Sequence, residues 1–291
     1  MAIIFKDKEW TFSLHTKHTT YQMGVDKYHT LLHLYYGKRL EEPNMSYLLR
    51  YADVGFSPSP DDAGTDRTYS LDIQPQEYPS YGVGDFRNTG LWVQHEDGSR
   101  AAELRYRSHE ILDMVYGIPG LPAAYTEDGH GQTLAITLGD IASDLEVTLF
   151  YGVFEETDMI TRTVQLKNQG SSRIWVEKVH SACLDLPYGS WEMVHFHGRH
   201  NKERMFERVP VAHGLFSIGS RRGSSSHQHN PAAILCSPDT TEDHGSCYGM
   251  TLLYSGNFTI DVEEHQMNQV RATLGISPEQ FRYPLEAGDV F

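Results

Sequence analysis

The 291-residue sequence has few of the features that mark secreted or membrane-bound proteins. Its three cysteines, Cys183, Cys236 and Cys247, include no CxxC pair, so neither a disulfide framework nor a structural zinc site is predicted and a cytoplasmic location is favoured. The apolar run at residues 2–5 is shorter than the roughly 7–15 residues of a signal-peptide core. No run reaches the roughly 18 apolar residues of a membrane span, so no membrane partner is expected.

Positive charge is scarce as well. The sequence has 24 lysines and arginines against 39 aspartates and glutamates, and this net charge of −15 argues against nucleic acid as a partner. Hydrophobic residues make up 39% and charged residues 22%, which is typical of a folded globular chain. Aromatic residues, at 11%, suit half-buried strands and also the apolar faces of sugar rings.

The sequence also lacks the short motifs of common catalytic and cofactor sites. It has no GxSxG elbow, no Walker loop and no dinucleotide-binding glycine loop. A glycosidase needs two carboxyl groups flanking one bond. Nothing in the sequence pairs two of its loop acids, which are Asp53, Asp61, Asp62, Asp66, Asp85 and Glu203. No catalytic residue and no cofactor is therefore predicted from the residues alone.

What the sequence does contain is apolar–polar alternation with the two-residue period of half-buried strands. Residues 134–138 and 145–149, then 160–166 and 174–179 across a turn at 168–170, predict an antiparallel meander. Further strands are predicted at residues 10–14, 20–23, 31–36, 90–95, 103–111, 248–254 and 257–263, the last two joined by a tight turn at Ser255-Gly256. Helix is predicted only in short pieces, such as 46–51. The fold class is therefore all-β, a large antiparallel sandwich in one domain.

Two segments interrupt this rhythm. Residues 57–67 hold two prolines and three aspartates and predict an exposed loop. Residues 189–208 are dense in histidine and arginine and are interpreted as loops and strand ends that carry a site. Within them, His195, His197 and His200 raise the question of a zinc site. Because no carboxylate stands at a familiar ligand spacing, hydrogen-bonded or surface imidazoles are the favoured interpretation, and no metal is predicted.

Several longer phrases are more specific than any of these motifs. They include LLHLYYGKRL at 31–40, SLDIQPQEYPSYGVGDFR at 70–87, FEETDMITRTVQLKNQG at 154–170, SRRGSSSHQHNPA at 220–232 and HGSCYGMTLLYSGNF at 244–258. In order and nearly end to end, the sequence resembles the N-terminal domain of the bacterial α-galactosidases of glycoside hydrolase family 36.

This resemblance implies a galactose mutarotase-like β-supersandwich over residues 1–291, without metal or organic cofactor. It implies that a (β/α)8 barrel with an aspartate nucleophile and an aspartate general acid follows residue 291 in the complete protein, so that this domain alone is inactive. The complete enzyme would hydrolyse terminal α-galactosyl residues of melibiose- and raffinose-type oligosaccharides with retention. The implied partners are those oligosaccharides, the domain's own barrel and further copies of the chain, because family members form tetramers.

The resemblance also implies two substrate-binding residues. In tetrameric members, the N-terminal domain lends an aspartate and a tryptophan to a neighbouring subunit's active site. The aspartate corresponds to Asp53 in YADVGFSPSPDD, where a carboxylate would accept sugar hydroxyls, with a solvated loop acid as the alternative. The family pattern GxWxRER corresponds to residues 198–204, so that His200 replaces the tryptophan. Imidazole stacks less area on a sugar than indole does, but it can hydrogen-bond.

Three further residues are expected to support this site. Arg67, in the phrase TDRTYSLD, either orients the Asp53 loop or pairs with Asp66. Trp191 and Arg199 belong to the functional cluster that contains His200.

Two other functions stay open at this stage. One is a free-standing carbohydrate-binding module, because β-sandwiches rich in exposed aromatic residues bind sugars. The other is a mutarotase-like epimerase, which would need a histidine general acid and a carboxylate base.

Overall fold

The computed structural model describes residues 2–41, 44–126 and 131–291. Along these residues the strands are β1 (Ile3–Lys6), β2 (Thr11–His15), β3 (Thr19–Val25), β4 (Leu31–Lys38), β5 (Leu91–His95), β6 (Leu104–Leu112), β7 (Gln132–Asp140), β8 (Leu145–Phe154), β9 (Met159–Asn168), β10 (Ile174–Leu186), β11 (Glu192–Arg199), β12 (Lys202–Pro210), β13 (Gly214–Ser220), β14 (His229–Cys236), β15 (Cys247–Thr251), β16 (Phe258–Glu264), β17 (Val270–Ile276) and β18 (Tyr283–Leu285). Short 3₁₀ turns occupy Ser46–Leu48, Asp61–Ala63 and Glu155–Thr157.

These strands form four antiparallel sheets within the described residues. The first sheet has the order β1-β2-β3-β4 and the second the order β6-β7-β8-β9. The third has the order β13-β16-β17-β10-β18, with β5 also paired to β10, and the fourth the order β12-β11-β14-β15. The all-β, antiparallel part of the predicted fold class is confirmed. No helix in the described part of the chain is both long and apolar enough to cross a membrane.

The alternating segments found in the sequence are strands, and most pair as predicted. Strands β7, β8 and β9 form a meander in continuous register, from Gln132↔Val153 to Leu145↔Asn168. Every second side chain of β8 is buried over its first half, as the two-residue period requires. The short strands predicted at the beginning of the chain correspond to β2, β3 and β4.

Two predicted strand pairings are wrong. Residues 174–179 open β10, which does not extend the β7-β8-β9 meander but joins the third sheet, and the fourth strand of the meander is β6. Likewise, Ser255-Gly256 is not a hairpin turn, because β15 belongs to the fourth sheet and β16 to the third. In both places the chain crosses to another sheet after the turn-forming residues instead of folding back beside the preceding strand.

One hydrophobic core joins all four sheets. Its fully buried members include Phe12 and Leu14 from the first sheet, Ile136 and Val147 from the second, Val176 and Ile260 from the third, and Met193 and Leu235 from the fourth. A smaller, separate cluster consists of Ala63, Tyr69 and Leu71.

Two networks of buried charge cross this core, and the first centres on Glu77. Its carboxylate is fully buried and accepts hydrogen bonds from Tyr21 (2.7 Å), Tyr151 (2.8 Å) and His33 Nδ1 (2.8 Å). The Arg162 guanidinium lies 3.3 Å from it. Burial by itself would raise the pKa of Glu77, but Arg162 and the hydrogen bond from His33 outweigh burial and hold that pKa below its ordinary value.

The second network pairs two arginines with two aspartates. Arg271, 1% exposed, donates to Asp185 at 2.6 and 2.7 Å and to Asp85 at 2.8 Å. Arg87 donates to Asp85 at 2.8 Å. Burial opposes ionisation of Asp185, yet the Arg271 charge and its hydrogen bonds lower the pKa of Asp185 to about 2. The four charges balance, and charges this deep are tolerated only when paired and hydrogen-bonded.

Candidate functional site

Asp53 lies in the exposed loop that begins after the 3₁₀ turn at Ser46–Leu48. Its Oδ1 accepts the backbone N–H of Gly55 at 3.0 Å, which closes an Asx turn, and Gly55 takes the positive φ of 79° that this turn needs. The side chain is 48% exposed. The carboxylate is therefore held in a fixed orientation with most of its acceptor capacity open to a ligand.

Arg67 contacts Asp53. The Arg67 Nε lies 3.3 Å from Asp53 Oδ2, and its Nη2 lies 3.4 Å from Oδ1. Asp66 has other partners: it accepts from the Thr68 backbone and hydroxyl and lies 3.5 Å from Lys27. Of the two roles considered for Arg67, the contacts correspond to orienting the Asp53 loop.

His200 occupies the tip of a hairpin. Strands β11 and β12 end in the pair Arg199↔Lys202, so that His200 and Asn201 form a two-residue turn, and Asn201 takes the φ of 61° that asparagine tolerates. Residues 189–208 were interpreted as loops and strand ends, with His195 and His197 on one face of a strand; that strand is confirmed as β11, but most of the remaining segment is strand as well. The sequence shows no apolar–polar alternation over most of these strands, because both faces of the hairpin end are exposed and carry polar side chains.

Gly198 makes this hairpin possible. A Cβ at this position would lie 2.2 Å from the Lys202 carbonyl oxygen and 2.9 Å from the Glu203 Cα. The register shifts between His197 and Arg199, and Arg204 opposite takes a positive φ of 54°. A bulge of this kind redirects side chains at a strand end, and here it sets the direction of the hairpin tip.

Trp191 supports the base of the same hairpin rather than presenting a free ring. Its indole packs against Tyr248, with ring centroids 5.4 Å apart, and its Nε1 donates to the Tyr188 carbonyl at 3.2 Å. The side chain is half-buried against the core. Arg199, by contrast, is exposed beside His200.

The Asp53 loop and the His200 hairpin are not directly bonded to one another. Among the residues described, no hydrogen bond or ion pair joins the two. Their bases are linked instead, because the Tyr188 hydroxyl donates to the Leu48 carbonyl at 2.9 Å. The structure therefore does not unite Asp53 and His200 in one pocket of this chain.

Several aromatic side chains are exposed in this part of the structure. Phe56 in the Asp53 loop is fully exposed, Tyr47 is 73% exposed and Tyr188 57% exposed. The sequence shows a high aromatic content but does not reveal which of the rings are exposed. Exposed aromatic rings can pack on the apolar faces of sugars.

No described cavity suits a glycosidase reaction. The cavity between Thr30, Gln76 and Arg105 has a volume of ≈ 10 Å³, about the space of one water molecule. An open cleft of ≈ 450 Å³ lies over Trp175, but the guanidinium groups of Arg282 and Arg173 pack on that ring at 4.3 and 5.1 Å. The His33–Glu77 pair, which has the residue types of an acid–base couple, is sealed in the core.

His195 alone departs from the favoured interpretation of the histidines, because the rings of His197 and His200 reach solvent. Its ring is 3% exposed, and neither nitrogen has a hydrogen-bond partner, so that it is neither a surface imidazole nor a hydrogen-bonded one. Burial lowers the pKa of His195, so the ring is neutral at pH 7. Within residues 2–41, 44–126 and 131–291, no group of three or more His, Cys, Asp or Glu side chains is arranged so that it could hold a metal ion.

The fold is an all-β arrangement of antiparallel sheets, and comparison with known proteins identifies its family. The profile of the glycosyl hydrolase family 36 N-terminal domain matches residues 29–286, and the chain belongs to this family. It is 51% identical over 291 residues to the bifunctional alpha-galactosidase/sucrose kinase AgaSK of Mediterraneibacter gnavus, covering 100% of this chain and 31% of that protein. It is 37% identical to the alpha-galactosidase AgaA of Geobacillus stearothermophilus, covering 100% of this chain and 40% of AgaA.

Solved structures give the same result. The galactosidase domain of AgaSK superimposes with a TM-score of 0.97 at 51% identity, over 100% of this chain and 40% of that one. A variant of AgaA from Geobacillus stearothermophilus, solved in complex with raffinose, superimposes with a TM-score of 0.93 at 38% identity, over 97% of this chain and 39% of that one. The chain thus spans less than half the length of these relatives.

Proposed function

We propose that this chain is the N-terminal, non-catalytic domain of an α-galactosidase that removes terminal α-galactosyl residues from melibiose- and raffinose-type oligosaccharides with retention. The observation that carries the proposal is that all of this chain matches part of an α-galactosidase, at 51% identity and with a TM-score of 0.97. The catalytic aspartates belong to the barrel of the complete enzyme.

The domain's own contribution is architectural. Its four sheets form a supersandwich that braces the barrel and supplies contacts between subunits. The exposed end of the β11–β12 hairpin suits such contacts, since Met205 is 47% and Phe206 62% exposed there.

Asp53 and His200 contribute to the substrate pocket of a neighbouring subunit. An Asp53 carboxylate fixed by Arg67 accepts sugar hydroxyls, and charged acceptors make the stronger hydrogen bonds. His200 sits on a two-residue turn with an exposed ring, so it can hydrogen-bond a sugar that a tryptophan would stack on. The fact that the two residues are not bonded within one chain is compatible with their serving a site completed by another subunit.

The purified chain is expected to show no turnover of a chromogenic α-galactoside. The reason is that the two carboxyl groups that retaining hydrolysis requires are proposed to lie in the barrel of the complete enzyme. The assay compares the wild-type chain with a preparation of Asp53→Ala purified in the same way. Turnover that persists through repeated purification would overturn the proposal.

A second candidate, a carbohydrate-binding module, is favoured by the exposed aromatic residues beside Asp53. Calorimetric titration of the chain with raffinose separates the two functions. An accessory domain that needs its barrel gives no heat of binding. Binding of raffinose would favour the module if His200→Ala or Trp191→Ala abolishes it and His18→Ala leaves it intact. His18 is a matched control because it is an exposed histidine beside the first sheet.

A further inference from the structure

Two of the three cysteines face each other across neighbouring strands of the fourth sheet. Cys236 is the last residue of β14 and Cys247 is the first of β15, and the register of the two strands places them directly opposite one another. We call these two residues the cysteine pair. Both are free thiols, as is the third cysteine, Cys183, on β10 in a different sheet. The spacing of the pair along the sequence does not reveal this arrangement, because it depends on strand register.

The backbone hydrogen bonds on either side show which kind of cross-strand position the cysteine pair occupies. In antiparallel strands, hydrogen-bonded pairs of residues alternate with non-hydrogen-bonded pairs. One step beyond the cysteine pair, the Ser237 N–H donates to the Ser246 carbonyl at 3.0 Å. At the other end of the same ladder, the Leu252 N–H donates to the Pro231 carbonyl at 2.9 Å. Both are an odd number of steps from the cysteine pair, which is therefore a non-hydrogen-bonded pair.

This position brings the two side chains within reach of a disulfide bond. The Cα atoms of a non-hydrogen-bonded pair lie about 4.5 Å apart, and those of a disulfide lie about 4.4–6.8 Å apart. Directly opposite residues also point to the same face of the sheet. Because β15 is the edge strand of the fourth sheet, it has a neighbour on one side only. A disulfide therefore needs rotation of the two side chains and at most a small shift of this edge strand.

The three thiols differ in their access to solvent. Cys247 is exposed. Cys236 is 2% exposed, and its Sγ donates to the Glu192 carbonyl at 3.6 Å. Cys183 is 1% exposed, and burial raises the pKa of both buried thiols. A thiol-reactive compound in solution therefore reaches Cys247 first, since reactivity requires an accessible thiolate.

We propose that the cysteine pair is a modification site for low-molecular-weight disulfides of the glutathione type. The Cys247 thiolate attacks one sulfur of oxidised glutathione, which forms a mixed disulfide and releases one glutathione thiolate. The Cys236 thiolate then attacks the Cys247 sulfur and releases the second glutathione. The two protons lost by the cysteines are taken up by the two released thiolates. Two protein thiols and one oxidised glutathione thus become one protein disulfide and two reduced glutathiones.

The disulfide fixes the loop at 237–246, which connects the two strands. Arg208 of β12 already holds this loop from its other side, since its guanidinium donates to the carbonyls of Pro238 at 2.9 Å and Thr240 at 2.7 Å. A cross-link between β14 and β15 also restricts the unfolded chain, which stabilises the fold. The oxidised chain is therefore expected to have a higher Tm than the reduced chain.

The test is incubation of the purified, reduced chain with oxidised glutathione, followed by a count of free thiols in denaturant. The count should fall from three to one, the intact mass should fall by two hydrogen atoms, and dithiothreitol should reverse both changes. Glutamyl endopeptidase cuts after Glu242, between the two cysteines of the pair. The two peptides that carry them should stay joined until they are reduced.

Three serine variants separate the two steps of the reaction. Cys247→Ser should keep both of its remaining thiols, because both are buried. Cys236→Ser should stop at the mixed disulfide and carry one glutathione. Cys183→Ser is the matched control, since its hydroxyl keeps a donor for the Gln76 carbonyl that the thiol contacts at 3.7 Å. It should form the disulfide as the wild type does.

Four results would overturn the proposal. The wild-type thiol count could stay at three, or it could stop at two with glutathione still attached. The two peptides could separate without reduction. Cys247→Ser could lose as many thiols as the wild type. A disulfide between two chains through Cys247, seen as a dimer on a non-reducing gel, would equally contradict an exchange within one chain.

Discussion

Asp185→Asn should lower the free energy of unfolding by about 3–5 kcal/mol, because it leaves a buried arginine charge without its partner. Arg271 makes two short hydrogen bonds to Asp185, at 2.6 and 2.7 Å, and both side chains are almost fully buried. Asp85 alone would then face two arginines, Arg271 and Arg87. Urea unfolding followed by tryptophan fluorescence measures the difference.

The loss of unfolding free energy caused by Asp185→Asn should depend on pH in a defined direction. The pKa of Asp185 is lowered to about 2 in the folded chain, below its ordinary value of about 3.9. A depressed carboxyl pKa stabilises the fold above pH 4, and this contribution of about 2–3 kcal/mol is lost as the pH falls toward 2. The difference in free energy of unfolding between the wild type and Asp185→Asn should therefore become smaller below pH 4.

Asp239→Asn is the matched control for Asp185→Asn. It is the same substitution at an aspartate that is 69% exposed and paired with His244 at 3.2 Å. Its effect should stay within about 0.5 kcal/mol, as for other exposed ion pairs. Equal losses at the two positions would contradict the assigned importance of the buried network.

Glu77→Gln should have an effect of similar size, about 3–5 kcal/mol. The amide keeps the shape of the carboxylate but presents an NH2 group to donors, and it leaves Arg162 without a counter-charge. Three further side chains donate hydrogen bonds to the Glu77 carboxylate and would lose a charged acceptor, namely Tyr21, Tyr151 and His33. Thermal unfolding should show a lower Tm with a single transition.

Glu286→Gln serves as the control for Glu77→Gln. It removes a carboxylate that Arg173 contacts at 2.7 Å, at positions that are 46–48% exposed. The control should be nearly silent because solvent screens that pair. A Glu77→Gln protein as stable as the control would show that Arg162 finds other compensation.

Local strand identity could be predicted from the sequence, whereas strand pairing could not. The alternation in residues 134–149 indicates β7 and β8 because each buries one face. The turn at 168–170 looks the same whether the chain reverses within a sheet or crosses to another. That choice depends on distant packing, which is why β10 was assigned to the wrong sheet.

The buried charges were invisible for a related reason. Glu77, Asp85 and Asp185 look like ordinary solvated acids in the sequence, since polarity predicts exposure. Their partners, Arg162 and Arg271, come from strands far along the chain. Only the tertiary fold brings opposite charges together at depth.

The candidate site likewise has one part that the sequence predicts and another that only the fold reveals. The family resemblance pointed to Asp53 and His200, but residue spacing could not show that Arg67 contacts Asp53 rather than Asp66. The spacing of His195 and His197 was visible, yet their cross-strand neighbours Glu207 and His229 are set by register alone. Register is a property of the sheet and is not encoded in any single segment.

Arg162 also limits how this protein can be divided. Its guanidinium, on β9 of the second sheet, contacts Tyr21 of the first sheet at 3.3 Å and donates to the Cys183 carbonyl of the third. Any fragment cut between these sheets would keep a buried cation and lose its acceptors. A fragment that contains Arg162 but lacks Tyr21 or Cys183 should therefore fail to fold on its own.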